Sequence, residues 1–184
     1  MGFRDVDAWA AWLAANHAAS GGIWMEIAKA GSGGLSCTYS EAVDVALCYG
    51  WIDGQKAAAD EQVWLQRFTP RRPRSRWSKI NRGRAEALIA AGRMTRAGMA
   101  EVDKAKRDGR WAAAYEGQAA ATVPDDLAAA LAANPAAAEF FAQLDSRNRY
   151  AILYRVQDAK RPETRARRIS TFVEMLANRE TIHP

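Results

Sequence analysis

The residues with the clearest capacity for chemistry in this chain are the basic residues of one short segment. Residues 66–84, with the sequence QRFTPRRPRSRWSKINRGR, contain eight Lys or Arg and no Asp or Glu. Arginine binds phosphate and carboxylate groups through paired hydrogen bonds and also stacks on aromatic rings. Because Phe68 and Trp77 lie within the same segment, the pattern predicts a surface that binds an anionic ligand.

A predicted helix start inside this segment favours the same chemistry. Ser78 is a residue type that caps helix N-termini, and the N–H groups of a helix's first turn attract anions. Asn81 falls in that first turn, where it could face a bound ligand. The candidate ligand-binding residues of this region are Arg67, Arg71, Arg72, Arg76, Trp77, Ser78, Lys79 and Asn81.

A second basic cluster and one carboxylate complete the predicted site. Arg161, Arg165 and Arg168 fall on one side of a helix that begins at Pro162. They would join the first cluster only if the fold brings the two segments together. Asp53, which precedes Gly54, could orient one of the arginines.

Two other interpretations of the basic segment stay open at this point. Its arginines could pair with acids such as Asp53, Asp60 or Glu61, which would leave an ordinary solvated loop. Arginine with aromatic neighbours is also typical of proteins that bind nucleic acids without reading their sequence. We expect a small anion or a phosphate-containing ligand as the partner, with extended nucleic acid as the less favoured alternative.

Few residues suit metal or covalent chemistry. The two histidines, His17 and His183, lie far apart in the sequence, whereas a zinc site needs three or four nitrogen, sulfur or carboxylate ligands. No phosphate-binding glycine loop or dinucleotide motif is present, so we predict no metal and no cofactor. An enzyme in which arginines hold the substrate and Asp53 or Tyr49 transfers a proton remains the alternative to a non-enzymatic binding protein.

The composition is that of a soluble globular protein. The 184 residues are 49% hydrophobic and 26% charged, with a net charge of +5. No apolar run approaches the ~20 residues needed to cross a bilayer, and no signal peptide opens the chain. Cys37 and Cys48 are too few for a disulfide framework. We therefore expect a reduced, cytoplasmic protein without membrane insertion; the sequence does not predict its oligomeric state.

Hydrophobic periodicity predicts an α+β fold, with a small sheet packed by helices in the N-terminal part. Alternating apolar residues predict one strand over residues 23–28 and another over 62–68, with a short strand at 51–54 before a turn. Helix starts are predicted near Asp5, Thr38, Ser78 and Thr95, and a flexible turn at Gly31–Gly34.

The segment GQAAATVP, residues 117–124, is predicted to be a linker because it is small, uncharged and ends in proline. It separates an α/β domain of residues 1–116 from an all-helical C-terminal module of residues 125–184. Within that module, predicted helices begin near Asp125, Pro135, Ser146 and Pro162.

Three segments of the sequence resemble a known family. LCYGWIDG (47–54), LQRFTPRRPRSRWSKIN (65–81) and AKRPETRARRI (159–169) are similar to the YdeI/OmpD-associated family, whose members are often named bacteriocin-protection proteins. The resemblance extends over nearly the whole chain and implies a mixed α/β part followed by the helical module for which the family is named. It also implies a role in tolerance of bacteriocins or cationic antimicrobial peptides, but no catalytic residues.

The charge of the chain makes direct capture of cationic peptides a poor fit to this role. A basic protein repels cations over ~8–10 Å at physiological salt. We therefore expect any contribution to peptide tolerance to be indirect.

Overall fold

The computed structural model describes residues 1–32, 34 and 36–184. These residues form two units, Met1–Ala114 and Tyr115–Pro184. The first unit contains a three-stranded antiparallel sheet with helices, and the second contains only helices. The predicted α+β class with a helical C-terminal part is therefore confirmed. The turn predicted at Gly31–Gly34 includes Gly33, which lies outside the described residues.

The division between the units falls at residue 114, a few residues before the predicted linker 117–124. Within that segment Gln118–Ala120 form one turn of 3-10 helix, and Ala121 and Val123 pack against the core of the second unit. The segment is thus part of the helical unit. Its small side chains resemble a linker in the sequence because they bury little area individually.

The described residues of the first unit form four helices and three strands, and each helix starts at a residue that caps it. Asp5 caps the first helix, and Thr38 and Glu41 form the capping box of the second, in which each residue's side chain bonds the other's backbone N–H. In chain order the elements are α1 Val6–Asn16, β1 Ile23–Ala28, α2 Tyr39–Cys48, β2 Trp51–Ala58, β3 Val63–Pro70, α3 Lys79–Ala90 and α4 Arg96–Arg107.

The sheet has the order β1-β3-β2, with β3 in the centre and both pairings antiparallel. β2 extends to Ala58, so the short strand predicted over residues 51–54 is longer than expected. A register shift between Asp53 and Lys56 interrupts its pairing with β3. The side-chain amide of Gln66 donates to the carbonyl oxygen of Gly54 at 3.0 Å, which satisfies the backbone at this irregular point. Residues 54–58 lack the alternation of apolar and polar residues that marks a strand, so the pairing of Lys56–Ala58 with β3 was not predicted.

One face of the sheet packs with the helices of the first unit around large aromatic side chains. Trp9, Leu13, Met25, Trp51 and Phe68 are all almost completely buried in this core. Their burial removes a large apolar area from water, which is the main favourable contribution to folding of the unit.

The second unit has its own apolar core among four helices. This core includes Leu127, Phe141, Leu153, Phe172 and Leu176. The helices are α5 Asp125–Ala132, α6 Pro135–Gln143, α7 Ser146–Asp158 and α8 Pro162–Ala177.

One predicted cap in this unit is displaced by a single residue. The carboxylate of Asp145 accepts a hydrogen bond from the Asn148 N–H at 2.7 Å, so Asp145 rather than Ser146 caps α7. Either residue type can cap a helix, and the sequence does not distinguish two such neighbours.

Candidate functional site

The basic residues of the predicted site surround the connection between β3 and α3. We call residues 71–78 the basic loop, because β3 ends at Pro70 and α3 begins at Lys79. Ser75 closes a turn within it. The Ser75 hydroxyl accepts a hydrogen bond from the Arg72 N–H at 2.9 Å, and the Ser75 N–H donates to the Arg72 carbonyl oxygen at 2.9 Å. The loop backbone is therefore held by bonds of its own.

Two predicted ligand-binding residues of the loop face the protein interior. Arg71 is 6% exposed and Trp77 is 1% exposed, and the guanidinium carbon of Arg71 lies 3.5 Å from the centre of the Trp77 ring. Arg71 Nη1 also donates to the carbonyl oxygen of Arg76 at 3.2 Å. These contacts join the two ends of the loop, so Arg71 and Trp77 shape it rather than meet solvent.

Two residues near the end of the first unit, Arg110 and Trp111, contact the loop. Arg110 Nη1 donates to the Ser75 carbonyl oxygen at 2.7 Å, and its side chain pairs with Asp108 at 2.7 Å. The Trp111 ring lies 4.8 Å from the Trp77 ring, centre to centre. Arg110 and Trp111 were not predictable as parts of the site, because both lie more than 30 positions from the loop and no local motif marks them.

The solvent side of the loop presents positive charge. Arg72 and Arg74 are exposed, Lys79 is exposed at the start of α3, and Arg76 is half-buried. Within the part of the chain that the structure describes, the side chains of Arg72 and Arg74 have no ion-pair partner. No Asp or Glu occurs between Glu61 and Glu86 in the sequence, so the loop itself supplies no counter-charge to Arg72 and Arg74.

The N-terminus of α3 lies directly after the loop and adds to its positive potential. Ser78 is its N-cap, as predicted, and the Ser78 hydroxyl accepts a hydrogen bond from the Asn81 N–H at 3.1 Å. No acidic residue occupies the first turn. The positive end of the helix dipole therefore lies directly beside the loop in the chain and is not offset by a carboxylate of its own first turn.

Other cations of the segment are engaged elsewhere. Arg84 pairs with Asp44 of α2 at 2.7 Å, and Arg82 lies 3.7 Å from Glu86 on its own helix. Arg67 is in the middle of β3, where its guanidinium carbon lies 5.9 Å from the centre of the Trp24 ring. Fewer cations of the segment are thus exposed without an ion pair than its sequence suggested.

The predicted carboxylate of the site has a different partner. Asp53 accepts a hydrogen bond from the Tyr39 hydroxyl at 2.6 Å rather than one from an arginine. Partial removal of the Tyr39 hydroxyl from water and this hydrogen bond raise the pKa of Tyr39 above its ordinary value. Tyr49, the other candidate for proton transfer, lies beside the ring of His17, 5.3 Å between centres.

The second basic cluster lies in the other unit, and its cations make contacts within that unit. Arg165 binds both carboxylate oxygens of Asp126, at 2.5 and 2.8 Å, and these hydrogen bonds lower the pKa of Asp126. Arg168 donates to the carbonyl oxygen of Arg155, and Arg161 is exposed before α8. Arg165 and Arg168 are therefore engaged by groups of their own unit.

The described residues contain no group of three His, Cys, Asp or Glu side chains that could hold a metal ion. Among the same residues, none of the helices is both long enough and apolar enough to cross a membrane. Cys37 and Cys48 are free thiols in the core, as predicted for Cys48, and burial raises the pKa of Cys37 to about 11.

Comparison with protein families assigns the two parts of the chain. Residues 1–101, more than half of the chain, match a family described as a domain of unknown function, DUF8412. Residues 120–179 match the family described as bacteriocin-protection, YdeI or OmpD-associated. The chain belongs to the DUF8412 family, and residues 120–179 of its C-terminal unit are similar to the YdeI/OmpD-associated family.

These matches confirm the resemblance to the YdeI/OmpD-associated family in the helical module. The segments 47–54 and 65–81, which also suggested it, lie in the part matched by the DUF8412 family instead. The basic loop is therefore a feature of the DUF8412 part. No curated protein and no solved structure matched the chain in the other two comparisons.

Proposed function

We propose that this chain is a non-enzymatic cytoplasmic protein that binds an anionic ligand through the basic loop and contributes to tolerance of bacteriocins or antimicrobial peptides. The observation that carries the proposal is the exposure of Arg72 and Arg74, without ion-pair partners among the described residues, next to the N-terminus of α3. Phosphate-containing ligands suit this arrangement because arginine matches their geometry and helix N-termini bind them well.

The rigidity of the loop supports a role in binding. Arg71 and Trp77 fix it from inside, Ser75 closes its turn, and Arg110 holds the Ser75 carbonyl oxygen. A ligand that meets a loop already held in shape orders fewer groups on binding, which leaves more of the interaction free energy as affinity.

The distribution of charge between the units also supports an anionic ligand. Residues 1–114 contain 17 Lys or Arg and 12 Asp or Glu, whereas residues 115–184 contain nine of each. The whole net charge of +5 therefore belongs to the unit that carries the basic loop. Such a field raises the local concentration of anions and speeds their association.

The residue types at the loop support a binding role without catalysis. Arginine and serine side chains of the loop, with Lys79 at the start of α3, hold charge or donate hydrogen bonds but supply no general base. The name of the YdeI/OmpD-associated family connects the protein with bacteriocin protection. Because the first unit repels cationic peptides, this protection would operate through the anionic ligand and not by capture of the peptide.

A calorimetric titration of the purified full chain with inorganic pyrophosphate tests the proposal. The test variant is Arg72→Ala/Arg74→Ala. The matched control is Arg96→Ala/Arg107→Ala, which removes two exposed arginines from α4 and changes the net charge equally. We expect the loop variant to lose affinity about tenfold or more, and the control to stay within about twofold.

Equal losses in both variants would show that net charge alone attracts the anion, and the proposal would then be wrong. A parallel titration with a fluorescent single-stranded oligonucleotide across a salt series identifies the class of ligand. Binding that the loop variant loses, with a log–log salt slope of about 0.7 for each phosphate contacted, would assign the loop to nucleic acid.

A further inference from the structure

A pocket at the other end of the sheet combines an aromatic wall with two lysines. It encloses about 620 Å³. It is lined by Lys29, Ala30, Lys56, Ala57, Ala58 and Trp64. None of these residues belongs to the basic loop or to its supporting contacts.

Both lysines line the pocket beside the same indole ring. Trp64, on the central strand β3, pairs with Ile27 of β1 and with Ala58 of β2. Lys29 lies two positions beyond Ile27, and Lys56 two positions before Ala58. Because side chains two positions apart share a face of a strand, Lys56 lies on the same face of the sheet as Trp64. Lys29 follows the end of β1 and lines the same pocket from that edge. The Lys56 Nζ lies 4.1 Å from the centre of the Trp64 ring.

The carboxylates near the pocket are occupied by other donors. The Asp60 carboxylate accepts hydrogen bonds from the Gln62 and Val63 N–H groups at 2.7 and 2.8 Å. Lys29 Nζ donates to the backbone carbonyl oxygen of Asp60 at 2.7 Å. Neither Lys29 nor Lys56 forms a direct ion pair with any residue that the structure describes, although Lys29 is close enough to the Asp60 carboxylate to help lower its pKa. The pocket therefore presents two ammonium groups that no carboxylate binds directly.

Aromatic surface continues beside the lysines. The Tyr39 ring lies 5.8 Å from the Trp64 ring, centre to centre, and the Tyr39 hydroxyl is engaged with Asp53. The Asp53 carboxylate is therefore also occupied, and the pocket offers a ligand one apolar wall and two ammonium groups.

We propose that this pocket binds a planar heterocyclic ring that carries a phosphate group, with a nucleoside monophosphate as the simplest example. The ring packs against Trp64 in place of the Lys56 ammonium group, and the exposed Lys56 side chain turns to donate, with Lys29, to the phosphate. Aromatic side chains hold nucleobases of any sequence by stacking, and lysine is a common phosphate ligand. The volume also falls within the range of about 300–1,000 Å³ that is usual for small-molecule pockets.

This site is separate from the one in the proposed function. Trp64 is the second residue of β3, and Arg71 follows the end of that strand. Seven residues of extended chain span roughly 20 Å, which a nucleoside monophosphate cannot bridge. The two sites therefore predict different effects of substitution.

The experiment is an NMR titration of the full chain labelled with ¹⁵N at its tryptophan indoles. The Trp64 signal is assigned as the one missing in Trp64→Phe. We expect adenosine monophosphate to shift this signal and adenosine or inorganic phosphate to bind about tenfold more weakly, because each lacks half of the interaction. The variant Lys29→Gln/Lys56→Gln, with both substitutions at exposed positions, should lose about tenfold or more in affinity.

The variant Arg96→Ala/Arg107→Ala serves as the matched control, since it removes two exposed arginines of α4 from the same unit, outside both the pocket lining and the basic loop. It should bind adenosine monophosphate as the unsubstituted chain does. Absence of a Trp64 shift at millimolar ligand, or a shift that the lysine variant retains in full, would overturn the proposal. Loss of binding in the loop variant Arg72→Ala/Arg74→Ala alone would also overturn it, while the proposed function of the basic loop would stand.

Discussion

The guanidinium carbon of Arg71 lies 3.5 Å from the centre of the Trp77 ring, and both side chains are buried. These residues stand near the two ends of the basic loop, so their contact closes it. A planar cation on an indole face is stabilised both by dispersion and by attraction to the ring's electrons. An arginine of the type that binds ligands therefore serves here to shape the loop that carries Arg72 and Arg74.

Replacement of Trp77 by alanine is expected to reduce the free energy of unfolding of the first unit by about 3–5 kcal/mol, because a large buried ring is lost from the core. Arg71→Lys keeps the charge but removes the planar stacking group, and should cost about 1 kcal/mol. Urea denaturation followed by circular dichroism measures both changes.

The exposed neighbour Arg72 provides the control for the arginine substitution. Arg72→Lys should change the stability by less than about 0.5 kcal/mol, as is usual at surface positions. If Arg71→Lys changed the free energy of unfolding as little as Arg72→Lys, the stacking of Arg71 on Trp77 would contribute no measurable stability. This contact would then not hold the loop in shape.

Glycine to alanine substitutions in the consecutive helices α3 and α4 should change the free energy of unfolding in opposite directions. A Cβ atom on Gly98 in α4 would lie 2.3 Å from the carbonyl oxygen of Cys48, in the backbone at the end of α2. Gly98→Ala therefore forces α4 away from the end of α2 and should lower the free energy of unfolding by about 1–3 kcal/mol or more. At Gly83 in α3 nothing lies within 4 Å of the added atom. Gly83→Ala should stabilise by about 0.5–1 kcal/mol through helix propensity.

Thermal unfolding monitored at 222 nm compares the two variants directly. The melting temperature should fall for Gly98→Ala and rise for Gly83→Ala. A rise for both would mean that α2 and α4 adjust to the extra methyl group without strain.

The parts of the fold that local chemistry determines were predictable from the sequence. Ser78 and the pair Thr38 and Glu41 lie beside the helices that they cap, and the structure confirms these starts. Strand β1 is equally clear, because its alternation of apolar residues is the direct consequence of having one buried face.

The parts that depend on distant contacts were not predictable. The burial of Arg71 depends on Trp77 and on the position of Trp111, which packs on that ring from the end of the first unit. The partner of Asp53 is Tyr39, 14 positions earlier, because α2 brings the two together. The sequence of an arginine cluster does not show which of its side chains are exposed. An arginine can extend into water or bury its aliphatic part against apolar groups, and the choice depends on residues that are distant in the sequence.

The two cysteines should react slowly with an aromatic disulfide reagent while the protein is folded. Burial raises the pKa of Cys37 to about 11 and also raises that of Cys48, so little thiolate is present near neutral pH. Absorbance of the released thiol should show slow reaction of native protein and rapid reaction of both cysteines in urea. Fast modification of the folded chain would show that one of these thiols reaches solvent.

The ion pair between Asp126 and Arg165 should make the helical unit sensitive to acid. Hydrogen bonds from Arg165 lower the pKa of Asp126 below its ordinary value of 3.8 in the folded state. The unfolded chain therefore takes up the proton first, and the stabilisation is fully present above the ordinary pKa. It is lost as the pH falls through the lowered value. Because the pair is partly exposed, Asp126→Asn should cost only about 0.5–1 kcal/mol near neutral pH.

The matched control for this variant is Asp125→Asn. Asp125 lies in the same first turn of α5 and shares its helix dipole, but it forms no ion pair with any residue that the structure describes. Urea denaturation at a series of pH values should therefore show a stability difference between Asp126→Asn and the unsubstituted chain that disappears in acid. Asp125→Asn should follow the unsubstituted chain more closely throughout. Equal losses in the two variants would mean that the helix dipole, rather than the contact with Arg165, stabilises these carboxylates.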